Sequence, residues 1–295
     1  MDGVLVVDKP EGLTSHDVVA VARRALGETR IGHTGTLDPL ATGVLPLACG
    51  RATRLVRFLT ASDKDYDATI RFGLTTDSYD ITGTETSQSG LQPARDAVVA
   101  ALATLTGDYL QMPPAFSAKR VGGRRAYALA RDDRPVELTA VPVTVSRVEL
   151  LAFSGDSARV ALTCSAGFYV RSFAHELGTR LGTGACLDAL RRTRSGDFGL
   201  EPAVTIEELQ RGPEDAAEWM VPLERLLPAF PAVRVTDEGR MRVGHGRVLE
   251  EGHLATELPA GPGEWVRVLD PEGLLVAVAT RGPQPGSLHP AVVLI

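Results

Sequence analysis

The chain has 295 residues, of which 44% are hydrophobic and 23% charged, a composition that suits a folded soluble protein of one large and one small domain. No apolar run approaches the ~18 residues of a membrane span. The opening MDGVLVVDKP lacks the basic, apolar and small-residue order of a secretory signal. The net charge of −6 argues weakly against nucleic acid as a partner, but residues 201–295 alone carry 8 basic and 15 acidic side chains, leaving the remainder close to neutral.

In chain order, residues 3–8 (GVLVVD) read as a buried strand that opens the fold. Thr14 and Asp17 have capping-box spacing ahead of the apolar stripe Val18, Val19, Ala22, Ala25 and Leu26, with Gly27 as the C-cap. A strand over 43–49 and a short helix over 52–59 follow the next loop. Residues 65–73 place Tyr66, Ala68, Ile70 and Phe72 on one face, the pattern of a half-buried strand. Residues 94–105 predict a helix capped near Gly107, 141–153 and 158–164 predict strands, and 171–181 a helix ended by Gly182. This irregular succession points to a mixed sheet rather than a doubly wound one. A boundary is expected at LLPAFPAV (226–233); beyond it WVRVLD, LLVAVAT and AVVLI, separated by Gly/Pro turns, suit a small barrel or sandwich.

Basic residues cluster in two places. Lys119, Arg120, Arg124, Arg125, Arg131 and Arg134 lie within 117–134 against only Asp132 and Asp133, and Arg191, Arg192 and Arg194 form a second group. Arginine forks grip phosphates, although a charge run is usually a solvated face. Cys49, Cys164 and Cys186 are odd in number and widely spaced, which suits buried thiols in a reducing cytoplasm. Two motifs fail on inspection. GETRIGHT (27–34) has His33 where a phosphate loop needs lysine, and Gly27 ends a helix instead of following a strand. His175-Glu176 is followed by Thr179 where a zinc helix needs its second histidine, so no metal site is visible.

The remaining candidate is RIGHTGTLDPLATGVLPL (30–47), in which Asp38 is the one acidic side chain among glycines, threonines and aliphatics. A carboxylate in such company is costly unless something requires it. Gly32 and Gly35 would permit left-handed backbone, and Pro39 would stiffen the loop around Asp38. An Asx-turn, with Asp38 bonding its own loop amides, is the competing reading. Tyr169 and Arg171 stand at a strand-to-helix junction, where the arginine could pair with a carboxylate from elsewhere or simply start a helix.

Several ordered stretches together resemble one family. Lys9-Pro10-x-Gly12-x-Thr14-Ser15, Gly32-His33-Thr34-Gly35-Thr36-Leu37-Asp38-Pro39-x-Ala41-Thr42-Gly43-x-Leu45, Lys64-x-Tyr66, Pro113-Pro114-x-x-Ser117-Ala118-Lys119 with Gly123, Tyr127, Ala130 and Arg131, and Tyr169-x-Arg171 are similar to the bacterial B-type tRNA pseudouridine synthases, which isomerise the T-loop uridine at position 55. The resemblance covers most of residues 1–194, and the C-terminal segment resembles, less distinctly, the small RNA-binding barrel called PUA.

It implies an α+β fold with a mixed, largely antiparallel central sheet flanked by helices, a catalytic domain over 1–229 with an RNA-clamping insert at about 107–134, and a PUA-like RNA-binding barrel over 230–295. It further implies Asp38 as nucleophile, Arg171 as its partner, and Tyr66 as the residue that stacks on the flipped uracil and takes part in proton movement. His33, Tyr169, Leu190 and Lys64 would bind substrate, and Lys119, Arg120, Arg124, Arg125 and Arg131 would hold RNA. The implied partner is the tRNA T-arm, in the cytoplasm, with no membrane, no obligate protein partner and no guide RNA.

The chemistry is compatible with these residues. Breaking the N1–C1′ bond, turning uracil and rejoining it through C5 oxidises nothing and releases no group, so neither cofactor nor metal is called for. An ionised carboxylate in a dry pocket is, and the target base must be flipped out of its stack. Three rivals stay open, one of them a guide-RNA-dependent relative, against which the Gly123/Tyr127/Arg131 insert speaks. An aspartate-dependent nucleosidase or glycosidase would recruit a second carboxylate such as Asp77 or Asp80. A non-catalytic RNA-binding or tRNA-folding module would not need Asp38 at all.

Overall fold

The structure, a computed structural model, describes residues 1–116, 120–121, 124–125, 138–212, 216–258, 263–282 and 284–295, with backbone only at 120–121, 124–125 and 216–217. The first expected strand is β1 (Gly3–Lys9), followed by α1 (Ser15–Leu26). Thr14 and Asp17 form the expected reciprocal capping box, and Gly27 closes the helix in the left-handed conformation at φ 60°. Then come β2 (Ile31–His33), β3 (Ala41–Cys49), a 3₁₀ turn over Gly50–Leu55 and α2 (Val56–Thr60), the last two where one short helix was expected. β4 (Lys64–Phe72) is followed by the small hairpin of β5 (Leu74–Thr76) and β6 (Glu85–Gln88), then α3 (Arg95–Thr104) and β7 (Gly107–Gln111). A two-stranded ribbon of β8 (Arg120–Val121) and β9 (Arg124–Arg125) precedes β10 (Val141–Phe153) and β11 (Ser157–Cys164). α4 (Val170–Leu181), β12 (Ala185–Ser195), α5 (Ile206–Arg211) and β13 (Met220–Val221) complete the larger part.

Among the described residues one sheet runs β13-β1-β3-β12-β4-β11-β10-β7, with β2 also on β3. All its pairings are antiparallel except β3 with β12. The class is therefore the expected α+β with a mixed, largely antiparallel sheet. β7 is an edge strand of it, so the sheet itself takes up Gly107–Gln111, the start of the segment expected as an insert.

Strand composition follows which faces are covered. In β1, Leu5 and Val7 join the helix-side core of α1, α4 and α5, while Val4 and Val6 point into a second core on the opposite face. Burial on both sides is why GVLVVD is continuously apolar. β4 alternates instead, with Tyr66, Ala68, Ile70 and Phe72 inward and Arg71 exposed. Only Gly43 (φ +98°) fits where β3 meets β12, since a Cβ there would come within 2.2 Å of the Arg192 carbonyl oxygen.

The C-terminal unit contains β14 (Ala232–Arg234), α6 (Asp237–Gly244), β15 (Trp265–Leu269), β16 (Leu275–Arg281) and β17 (Leu288–Val293), with its strands in that order. Residues 249–255 bridge the two edges: Leu249 and Leu288 exchange backbone hydrogen bonds of 2.8 and 2.9 Å, and Ala255 N–H donates to the Arg234 carbonyl at 2.8 Å. The four strands thus curl into a small barrel around Val233, Val266, Val268, Val276 and Leu288.

This barrel is fastened to the sheet. Leu275, Val278 and Leu294 share the second core with Val4, Val44 and Leu55. Phe58 packs edge-on against Trp265 and Phe230 at 4.8 and 5.6 Å, with the Arg57 guanidinium 4.8 Å from the indole. Arg51 donates to the Leu294 carbonyl at 2.7 Å. Trp265→Ala is expected to cost about 2–3 kcal/mol in urea unfolding. An unchanged midpoint would show that the aromatic cluster does not brace the two units.

Candidate active site

Asp38 lies in the loop between β2 and β3, and backbone bonds plus two buried side chains hold that loop. Ser15, at the start of α1, accepts from Leu37 N–H at 2.8 Å and donates to the Leu37 carbonyl at 3.1 Å. Gly12 N–H donates to the Pro39 carbonyl at 2.8 Å, and Ala41 N–H closes a turn onto the Asp38 carbonyl at 3.0 Å. The fully buried Lys9 ammonium donates to the carbonyls of Pro10, Leu13 and Pro39 at 2.8, 2.7 and 3.4 Å. Neither Gly32 nor Gly35 adopts positive φ. The loop is stiffened from outside by Lys9, Gly12 and Ser15, not by glycine hinges as expected.

The Asp38 carboxylate, 41% exposed, faces Arg171, 8% exposed, with Nε 2.9 Å from Oδ2. Arg171 is the second residue of α4, and its fork is fixed on every side. Nη1 donates to the Ser78 carbonyl at 3.0 Å, Nη2 donates to the Phe116 carbonyl at 2.9 Å, and Asp80 Oδ2 lies 3.7 Å from Nη1. A buried guanidinium so committed cannot follow its partner into solvent, so the carboxylate is held at one place.

Asp80 is itself buried and accepts from Ser78 Oγ, Thr82 N–H and Thr82 Oγ at 2.9, 3.0 and 2.6 Å. It sits in the turn that carries Tyr79 at φ 65°, an uncommon conformation for a non-glycine residue. The Tyr79 ring stacks on His175 at 3.9 Å. Glu176, next to His175, instead pairs with Arg180 at 2.7 Å. Among the described residues no three His, Cys, Asp or Glu side chains gather as a metal would need.

A cleft of about 240 Å³ opens beside the pair, lined by Gly35, Thr36, Leu37, Asp38, Thr60, Lys64, Tyr66, Ser165, Gly167, Phe168, Tyr169, Val170, Arg171, Leu190 and Arg192. It brings together Asp38, Tyr66, Arg171, Tyr169, Leu190 and Lys64 from four separate stretches: the β2–β3 loop, β4, the start of α4 and β12. Asp38 is the one acidic side chain in that lining. Burial pushes the Tyr66 phenol up, so it remains protonated at neutral pH, within hydrogen-bond reach of Arg192. Lys64 lines the cleft, but its ammonium is tied to the carbonyls of Thr60, at 2.6 Å, and Ser62.

His33 does not line the cleft; it lies on β2 with its ring edge-on to His16 at 5.4 Å. Lys119 and Arg131 lie outside the described residues, as do the side chains of Arg120, Arg124 and Arg125. The second basic cluster is not a free phosphate-binding patch. Arg191 pairs with Asp8 at 2.7 Å and Arg194 with Asp65 at 2.6 Å. Arg192 is buried, donating to the carbonyls of Val44 at 2.7 Å and Gly35 at 3.2 Å.

Burial also sets a pH signature. Burial lowers Lys9 and Lys64 to about 8, while it raises the thiols of Cys49 and Cys186 to about 11 and Cys164 to about 12. The lysines are depressed in the fold, so stability is lost as pH falls through about 8 and is regained above it. The thiols are raised, so stability is lost as pH climbs beyond their unfolded value of about 9. The thermal midpoint is therefore expected to rise from pH 8 to 9 and decline beyond. A steady fall from pH 8 upward would contradict this.

A family model described as TruB family pseudouridylate synthase (N terminal domain) matches residues 23–170, and one described as tRNA pseudouridylate synthase B C-terminal domain matches 171–228. A protein named tRNA pseudouridine synthase B from Solibacter usitatus (strain Ellin6076) is 46% identical, with 100% of each chain covered. One of the same name from Thermobifida fusca (strain YX) is 44% identical over 99% of this chain and 98% of its own. Among solved structures, the archaeal box H/ACA sRNP Nop10-Cbf5 complex holds a chain similar at a TM-score of 0.76 and 27% identity, covering 99% of this chain and 86% of that one. An H/ACA RNP bound to a substrate RNA containing 2'-deoxyuridine holds another, at a TM-score of 0.75 and 26% identity, covering 99% and 85%.

Proposed function

The chain belongs to the TruB family of pseudouridylate synthases and isomerises uridine to pseudouridine in tRNA; we propose that its target is the T-loop uridine at position 55 and that Asp38 is the nucleophile. The observation that carries the assignment is the Asp38–Arg171 contact of 2.9 Å at the edge of a cleft with no other carboxylate in its lining.

In this reading the uridine leaves its stack and enters between Tyr66 and Leu190, at an unstacking cost of a few kcal/mol. The Tyr66 face recovers roughly 1–3 kcal/mol of it. Leu37, Phe168 and Val170 line the cleft with apolar surface, which would shed water once the base is seated. Arg171 keeps the Asp38 carboxylate aimed, as a nucleophile requires. The N1–C1′ bond breaks, uracil turns, and C5 bonds to C1′; the C5 proton leaves and N1 regains one. A neutral phenol at Tyr66 suits stacking and proton donation rather than base chemistry. His33, next to the cleft loop, would meet RNA outside the base pocket.

A nucleosidase would need a general acid opposite Asp38, yet Asp80 stands behind Arg171 with its Oδ1 taken by Ser78 and Thr82, and Asp77 accepts from Thr84 N–H at 2.8 Å. The T-arm contact is assigned to Lys119, Arg120, Arg124, Arg125 and Arg131 on charge alone. The domain division at 229/230 is supported by the separate core of the C-terminal barrel. That unit is acidic, and Arg234, Arg242 and Arg267 donate to its own or neighbouring carbonyls while Arg240 faces Asp270. Its part in this reading is to brace the sheet more than to hold phosphate.

The enzyme is proposed to work alone in the cytoplasm. Full-length similarity to proteins named tRNA pseudouridine synthase B supports that over a guide-RNA particle; no helix among the described residues is long and apolar enough to cross a membrane. The test is tritium release from C5-labelled uridine in an unmodified tRNA transcript. Release confined to the T-loop position supports the reading, whereas free uracil or release elsewhere overturns it.

A further inference from the structure

Gln111, the last residue of β7, is fully buried, and its carboxamide reaches across to the start of α4. Oε1 accepts from Tyr169 N–H at 2.8 Å, and Nε2 donates to the Tyr169 carbonyl at 3.1 Å. Tyr169 is the N-cap of α4 and has no capping side chain of its own. The amide of Gln111 acts as a surrogate peptide group, satisfying both main-chain polar atoms of a residue that lines the cleft. Two further bonds tie the same turn of α4 to the chain leaving β7: Ser172 Oγ donates to the Met112 carbonyl at 2.7 Å, and Arg171 Nη2 donates to Phe116. The direction of Arg171 is therefore set from the far edge of the sheet, well away from the loop that carries Asp38.

We propose that Gln111 is a positioning residue for the isomerisation: its carboxamide fixes the Tyr169 main chain, which places Arg171 two residues on, and through Arg171 the carboxylate of Asp38. The inference rests on the assignment of Asp38 and Arg171 above. Packing alone would be served by any side chain of this volume. Positioning needs a donor and an acceptor together, and a displacement of about 1 Å at the reacting groups costs about 100-fold in rate.

Glutamate at this position separates the two roles. When protonated it can donate to the Tyr169 carbonyl and accept from its N–H; when ionised it presents a carboxylate to a carbonyl oxygen, and burial raises its pKa. Single-turnover conversion of an unmodified tRNA transcript would be followed from pH 6 to 8.5 for the wild type, Gln111→Leu, Gln111→Glu and Asp38→Asn, with tRNA affinity and thermal midpoint recorded for each. Gln111→Leu is expected to convert about 10- to 100-fold more slowly with affinity within a few-fold. Gln111→Glu is expected to regain rate as pH falls, relative to the wild type, and this profile decides the matter should the leucine variant fail to fold. Wild-type rates in both variants, or a pH-independent deficit in Gln111→Glu, overturn the inference. Conversion by Asp38→Asn would instead overturn the nucleophile assignment, whatever the Gln111 variants do.

Discussion

Asp38→Asn is expected to lower pseudouridine formation by about 10⁴-fold or more while leaving tRNA affinity within a few-fold. Asparagine keeps the shape of the side chain, and its Oδ1 can still accept from Arg171 Nε, 2.9 Å away in the native pair. The loop does not depend on the carboxylate either, because Ser15, Gly12 and Lys9 hold Leu37 and Pro39 by their main chains. What disappears is the negative charge that the proposed nucleophile needs. Removing it beside a polyanion cannot weaken binding by repulsion, so a large loss of affinity would mean that the loop had moved. Residual conversion above about a tenth of the wild-type rate would show that another group supplies the nucleophile. A non-catalytic RNA-binding module would show no activity to lose, which a wild-type tritium-release assay reveals directly.

How far the site could be read in advance depended on what each residue contacts. The face of β4 that carries Tyr66 was legible because only one side of that strand is buried, and its alternation survives in the sequence. β12, at the centre of the sheet, was not: in ACLDALRRTRS a buried arginine and two paired ones overwrite the apolar period. Arg192 therefore read as one more member of a basic surface cluster, solvated or phosphate-binding, when it is an internal strut between Val44 and Gly35. The Asx-turn alternative for Asp38 could not be dismissed from loop composition. Only the fold shows that the hydroxyl of Ser15, 22 positions earlier, takes the Leu37 amide. Asp80 read only as a spare carboxylate for a rival reaction and Gln111 not at all, since a carboxylate in a turn and an amide at a strand end are commonplace until the fold sets Arg171 and Tyr169 beside them.

Arg171→Ala is expected to remove activity and also to destabilise the fold by about 3–5 kcal/mol. The guanidinium is shared by Asp38, Asp80 and the carbonyls of Ser78 and Phe116. Without it Asp38, partly exposed, can rehydrate, but Asp80 is buried and would keep a negative charge with neutral donors only. That stranded charge makes the stability loss larger than truncation of a surface arginine would produce, where the median pair is worth about 0–1 kcal/mol. Arg171→Lys sharpens the distinction. A lysine ammonium retains the charge that Asp80 needs but lacks the fork that meets Asp38 and two carbonyls at once. Most of the stability should therefore return, measured by urea unfolding, while conversion stays about 100-fold below wild type because the carboxylate is no longer aimed. If the alanine variant unfolds at the wild-type midpoint, Asp80 is not held by this arginine. If lysine restores conversion fully, charge alone suffices and the geometry of the fork is incidental.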